Sequence, residues 1–247
     1  MNDYKILAER IYDRMSVRSY SDKAIDFLED GTDLIKKFGI PSLFKDAECR
    51  VRSLKIGAEV KNVRSKYCLG FFSGGFGGSF ENVGFTGQLL SLELQALGIG
   101  TCWLGLKMPE RAFRSVDGLD FVISMAAGYP EREGAVSRIY PNGFARKSAD
   151  EICLKEKDDL TEAVRLAPSA MNNQPWLVEK NDNSYNFYMS KPGLIGKLFM
   201  GNMRRIDMGI AMAHLFVKAK AAGFDTEIKT DGRNLSDATY IATITLK

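Results

Sequence analysis

The chain has 247 residues, 45% hydrophobic and 26% charged, ordinary globular values that exclude disorder, collagen and coiled coil as descriptions of the whole. A chain this long buries roughly 70–75% of its unfolded surface and needs no disulfide or metal staple to fold. Against 31 Asp and Glu, 34 Lys and Arg leave a net charge of +3, too little to argue for a nucleic-acid partner.

The opening, MNDYKILAERIYDRM, alternates charged and apolar residues and contains no apolar stretch of signal-peptide type. No window of about 18–20 apolar residues free of charge occurs, so no membrane span is expected. Ile6, Leu7, Ile11 and Tyr12 recur near helical spacing and predict a helix over 3–15. The polar stretch Ser16–Asp22 breaks it. A second helix is expected over Ala24–Phe38, weakened by Gly31 and stopped by Gly39 and Pro41. The cations that follow, Arg50, Arg52, Lys55, Lys61, Arg64 and Lys66, are scattered rather than run together and read as a solvated surface. Residues 66–73, KYCLGFFS, read as a buried strand ending at Gly74, Gly75, Gly77 and Gly78. No Gly-Lys-Ser/Thr follows and the GxGxxG spacing is absent, so this cluster is a loop before a helix rather than a phosphate cradle.

Residues 82–98 and 206–223 form helices apolar on nearly all sides, the mark of buried helices, and are expected to pack on each other at the centre. They also match as copies. A shift of 125 places Gly84 on Gly209, Leu90 on Leu215, Ala96 on Ala221, Gly98 on Gly223 and Thr101 on Thr226. A strand precedes each (Tyr67–Ser73; Tyr185–Ser190) and a β-rich stretch follows each (Phe121–Ala127; Thr239–Leu246). The reading is a tandem duplication whose halves, 1–155 and 156–247, bury each other's helices. The junction, 143–159, is charged and spaces Ser148 and Glu151 as a capping box.

One histidine, His214, sits among apolar neighbours within the second of these helices; multi-histidine zinc sites cannot be built, and His214 reads as packed rather than catalytic. The four cysteines, Cys49, Cys68, Cys102 and Cys153, form no CxxC pair and are expected as thiols in a reducing cytosol. Three segments carry candidate chemistry. Arg14-Met15-Ser16-Val17-Arg18 sets two cations around a hydroxyl, which suits an anion as well as it suits a solvated loop. In Leu97–Gly105, Gly98 is a helix stop, Gly100 and Gly105 permit close backbone approach, and Cys102 reads as a small buried thiol. Ala167–Trp176, APSAMNNQPW, combines small residues, two prolines and the amides of Asn172 and Gln174, and is expected after a helix over Leu160–Leu166. It can lie flat on a planar ring and read its edge.

Together with Gly128-Tyr129-Pro130 and Arg146-Lys147, these segments resemble the FMN-dependent nitroreductase family, from Arg14 to about Gly223; residues 30–60 match no nameable motif. The resemblance implies an α+β fold, with central β-sheets flanked by helices, and an FMN site. Arg14 and Ser16 would meet the phosphate and ribityl chain. Arg18 would be the catalytic cation near the flavin pyrimidine edge. Arg146 and Lys147 would meet the phosphate, and Leu104 and Gly105 would offer backbone to the ring. Pro168, Ser169, Ala170 and Asn172 would cover its other side; Ala170 stands where many members have Ser. Family members are homodimers with FMN at the interface, and here the APSxxNxQPW segment follows Arg146-Lys147 instead of the RxSxR segment. The duplication accounts for this order, since one chain would imitate the dimer as a monomer with a single live site.

The activity so implied is hydride transfer from NAD(P)H through flavin to a small acceptor such as a nitroaromatic, quinone or enone, with no metal, nucleic acid or membrane partner. The alternative is a flavin- or nucleotide-binding protein without turnover.

Overall fold

The computed structural model describes residues 3–54, 58–60, 63–75, 77–105, 114–132, 146–192 and 201–247. Lys55, Lys61 and the first three residues of the 143–159 junction lie outside these. Helix α1 (Tyr4–Asp13) is the expected first helix, capped by the Asp3 side chain and burying Leu7, Ala8 and Ile11. The one helix expected over 24–38 is two, α2 (Asp26–Glu29) and α3 (Leu34–Phe38). Gly31 turns the chain between them with φ of 75°, and the Asp33 carboxylate caps α3 by accepting from the Ile35 N–H.

The first long run of elements is β1 (Cys49–Ser53), β2 (Ala58–Val60), β3 (Val63–Ser65), β4 (Tyr67–Ser73), α4 (Ser79–Ala96), β5 (Gly100–Leu104), β6 (Ser115–Val116) and β7 (Leu119–Gly128). Then come α5 (Ala149–Ile152), α6 (Asp159–Arg165), β8 (Trp176–Asn181), β9 (Ser184–Ser190), α7 (Gly201–Ala221), β10 (Thr226–Lys229) and β11 (Ala238–Leu246). The Ser148–Glu151 capping box starts α5 as expected.

Two larger antiparallel sheets result, beside a two-stranded β2–β3 ribbon. One has the order β1-β4-β7-β5, with β6 pairing β7. The other has the order β8-β9-β11-β10. Apart from β6, each is laid down as two strands, a long helix and two more strands, and each arranges those four strands in the same order. All seven residues of β4 are buried, as befits a strand covered on both faces.

Helices α4 and α7 fill the centre. Both start before the expected residues 82 and 206, α4 after Gly78 in the left-handed region (φ 85°). Both end at left-handed glycines, Gly98 (φ 76°) and Gly223 (φ 90°). They cross at two glycines. A methyl group on Gly84 would sit 2.0 Å from the Ile206 carbonyl oxygen, and one on Gly209 would sit 1.8 Å from that of Glu81. The backbones therefore touch without intervening side chains.

His214 is fully buried in α7. Its Nδ1–H can only donate to the Ala163 carbonyl, at 2.9 Å, which leaves Nε2 to accept from the Gln88 amide at 3.0 Å. Gln88 Oε1 accepts in turn from the Trp103 indole N–H. This neutral, doubly held imidazole ties α7 to α4 and α6, as the packed reading requires. His214→Ala is expected to destabilise the fold by about 2–4 kcal/mol, from the cavity and the orphaned partners. A lowered urea midpoint with ligand binding otherwise retained checks this.

Of the scattered cations, Arg50 and Arg52 both reach Asp117, at 2.6 and 3.0 Å, and Lys66 reaches Glu29 at 2.6 Å. Such exposed pairs contribute little to stability.

Candidate functional site

The first wall of the site is the chain leaving α1. Residues 16–17 lie alongside β5: Ser16 bridges Thr101 in parallel, and the Val17 N–H donates to the Thr101 carbonyl at 3.0 Å. Gly100 admits this approach, since a methyl group there would meet Val17 Cγ2 at 2.4 Å. The Tyr20 hydroxyl donates to the Val17 carbonyl at 2.5 Å and anchors the far end. Arg14 caps α1 and is buried. Cys102, next along β5, is buried as expected; burial pushes its thiol up, and Arg18 and Arg14 only partly oppose this.

The second wall is the turn after α6. Ala170–Asn172 form a short 3-10 turn in which Met171 (φ 51°) and Asn172 (φ 56°) are left-handed, and Gln174 (φ 48°) follows. Three non-glycine residues in that region cost on the order of 1–3 kcal/mol each and need a dense frame to hold them. The frame is visible. The Gln174 N–H donates to Ser169 Oγ at 2.9 Å, and its side-chain amide donates to the Asn172 carbonyl at 3.1 Å. The Lys147 N–H and Nζ donate to Gln174 Oε1 and its carbonyl, at 2.8 and 3.0 Å. Arg146 Nη1 donates to Asn172 Oδ1, and Arg204 Nη1 donates to Asn173 Oδ1 at 3.1 Å. Gln174 is therefore spent on the turn itself, not on reading a ligand edge. Trp176 begins β8 fully buried.

Between these walls lies a cavity of about 350 Å³, within the roughly 300–1,000 Å³ of small-molecule sites. Ser16, Arg18 and Gly105 face it from the first wall, and Pro168, Ser169 and Ala170 from the second. Its floor is one face of α7, Met203, Ile206, Asp207 and Ile210, at helical spacing. Gly105 must lack a side chain, since a methyl group would sit 2.7 Å from Met203 Sδ. Of the predicted site residues, Ser16, Arg18, Gly105, Pro168, Ser169 and Ala170 meet at this cavity. Arg14, Leu104, Arg146, Lys147 and Asn172 do not line it: Leu104 is buried in a small apolar cluster, and the last three brace the turn.

A family model described as "Putative TM nitroreductase" matches residues 6–219. The chain belongs to this nitroreductase family. A solved structure from Thermotoga maritima, described as a "putative nitroreductase", shares the fold at a TM-score of 0.65 and 19% identity, over 97% of this chain and 92% of that one. Weaker likenesses include an FMN-dependent nitroreductase from Clostridium difficile (TM-score 0.40, 14% identity, 57% of this chain and 98% of that one). Another is a "putative NADH oxidase" from Clostridium acetobutylicum (TM-score 0.42, 18% identity, 60% and 99%). No curated protein matches.

Sequence reasoning missed one polar residue of this nitroreductase-family cavity. Asp207 is 2% exposed, and its Oδ1 accepts from the Ala170 N–H at 2.9 Å. Among the described residues its Oδ2 has no partner. Burial pushes the carboxyl up to about 8, with the Ala170 amide and Arg204 pulling the other way. The only signal in the sequence was an acid in a helix otherwise read as apolar. Among the described residues, no group of three or more His, Cys, Asp or Glu could hold a metal ion, and no helix is long and apolar enough to cross a membrane.

Proposed function

We propose that this nitroreductase-family chain is an FMN-dependent oxidoreductase, taking reducing equivalents from NAD(P)H and delivering them to a small acceptor such as a nitroaromatic, quinone or enone. The observation that carries the reading is the one cavity lined by Ser16 and Arg18 on one side and Pro168–Ala170 on the other. These are the two segments that the resemblance assigns to opposite sides of one flavin. The donor set fits that group: the Arg18 guanidinium and Ser16 hydroxyl, the aliphatic side chains of Ile206 and Ile210, and Gly105 where no side chain can stand. Bound FMN supplies reversible hydride chemistry.

The chain's own residues bind and orient. With FMN bound, Arg18, which lines the cavity, would offset the negative charge that reduction places on the ring. Of the residues that the resemblance assigns to FMN, Ser16 and Gly105 face the cavity from one side and Pro168, Ser169 and Ala170 from the other, and these would hold the ring and its chain. Arg14, Leu104, Arg146, Lys147 and Asn172 lie outside that lining; in this reading the phosphate end would extend past it to Arg14, Arg146 and Lys147, and Asn172 would act by holding the Pro168–Ala170 turn through Arg146.

The same reading takes the two halves, 1–155 and 156–247, as an intrachain pseudo-dimer. The matching strand orders support it. So does reciprocity at the helix crossing: Gly84 meets Ile206 and Gly209 meets Glu81, and the shift of 125 converts one pair into the other. A second hollow, lined by Phe44, Ala47, Gly78, Glu81, Arg205 and Thr230, occupies the mate's position; among its described lining residues there is no counterpart of the Ser16 and Arg18 pair. Four buried cysteines, all thiols rather than disulfides, support a cytosolic location.

Purified protein is expected to be yellow, to release one FMN per chain, to run as a monomer on sizing, and to oxidise NAD(P)H when a quinone or nitroaromatic is present. Arg14→Ala and Asn172→Ala should each weaken FMN retention, Arg14→Ala by roughly 10- to 150-fold for the loss of a charge-assisted contact. Colourless protein that takes up no added FMN would end the reading.

A further inference from the structure

We propose that Asp207 presents a protonated carboxyl to the cavity and is the proton donor to the acceptor bound there, a role that rests on the oxidoreductase reading above. Three observations place it. Asp207 lies on the floor face of α7, buried and lining the cavity. Its Oδ1 is fixed by the Ala170 N–H at 2.9 Å, which leaves Oδ2 as the uncommitted oxygen. That oxygen, Oδ2, meets no partner among the described residues.

The chain holds its own control. The residue 125 positions earlier is Asn82 on α4. Asn82 Oδ1 accepts from the Leu43 N–H at 2.7 Å, and its amide donates to the Ala47 carbonyl at 2.6 Å. Leu43 stands six residues before β1, as Ala170 stands six before β8. The two side chains therefore pin equivalent turns. In the half whose hollow has no counterpart of Ser16 and Arg18, an amide does this with both its oxygen and its nitrogen engaged. At the cavity proper the position is an acid with an oxygen to spare. Holding the turn does not require an acid, so the acid serves the cavity.

The charged and titratable groups around Asp207 are Arg204 on its own helix, Arg18 and Cys102 across the cavity, and the Glu81–Arg205 pair at the α4 crossing. Burial outweighs them and favours the neutral acid at pH 7. In the step, an acceptor that takes a hydride at one atom would take the Oδ2 proton at the adjacent atom, the hydride being what bound FMN would supply. The Asp207 O–H bond breaks with its electron pair kept on the carboxylate, which the Ala170 N–H steadies. Water then returns the proton.

Carbon-13 NMR of flavin-free wild-type protein with labelled aspartate tests the protonation without any variant. One carboxyl carbon should remain in the acid form at pH 7 and titrate near 8. In FMN-loaded protein, turnover of a quinone should fall about tenfold per pH unit above that point. Asp207→Asn, which keeps the acceptor for Ala170, should leave FMN affinity within a few-fold, lower turnover on the order of 100-fold and flatten the alkaline limb. The proposal is overturned if every aspartate titrates below about pH 5, or if Asp207→Asn keeps wild-type turnover with an unchanged pH profile. Failure to bind FMN would strike the parent reading and leave the carbon-13 titration untouched, so the two failures are separable.

Discussion

Gly84→Ala and Gly209→Ala are each expected to destabilise the protein by on the order of 3 kcal/mol, although alanine is the better helix former. By propensity alone, either substitution in a long helix would add roughly 0.5–1 kcal/mol of stability. At this crossing a methyl group would stand 2.0 or 1.8 Å from a carbonyl oxygen of the other helix. A flexible side chain could yield, but backbone held in a helix cannot, so α4 and α7 must separate and lose packing along their shared length. Because one separation relieves both clashes, the double variant should cost less than the sum of the singles. Urea midpoints of the three variants decide it. A single variant as stable as wild type would mean that the helices do not meet at these glycines.

The second large effect is alkaline. A carboxyl held up to about 8 in the folded state and near 3.8 when unfolded binds more protons in the folded form throughout that span. Stability from this group is therefore full below about pH 4 and falls by about 1.4 kcal/mol per pH unit until the folded carboxyl has ionised near pH 8. The whole loss is on the order of 4–6 kcal/mol, a large share of an ordinary folding free energy. Asp207→Asn removes the ionisation. The gap between variant and wild type should move in the variant's favour from pH 5 to pH 9, as chemical unfolding at several pH values will read. A gap independent of pH would contradict the buried, rising carboxyl. Glu179 works in the opposite range: Lys155, with Asn186, holds it down to about 2, so its contribution fades only as pH drops below about 4. It does not blur the alkaline comparison.

The elements legible beforehand were those with strong periodicity. Ile6, Leu7 and Ile11 marked α1, and the all-round apolar character of α4 and α7 foretold their central packing. The split of the 24–38 helix was not legible as such, because one glycine in a helical pattern is as often tolerated as not; here the Asp33 cap decided it. The two facing walls were read from motif residues, yet motif spacing does not say which side chains face a ligand. Arg146, Lys147 and Asn172 turned out to brace one another and the turn. The stretch 30–60, matched to no motif, contains Pro41-Ser42 at the place before β1 that Pro168-Ser169 hold before β8. A two-residue echo was too short to stand out until the paired sheets aligned it. Asp207 escaped because nothing in the spacing of one acid reveals which neighbour will use one of its oxygens.

Residues 16–18 and 168–170 close one pocket from a single covalent strand of polypeptide. A pocket shared between separate subunits empties on dilution, since its two walls part company as concentration falls. Here the tether holds the local concentration of one wall near the other constant, so ligand affinity should be the same at nanomolar and micromolar protein.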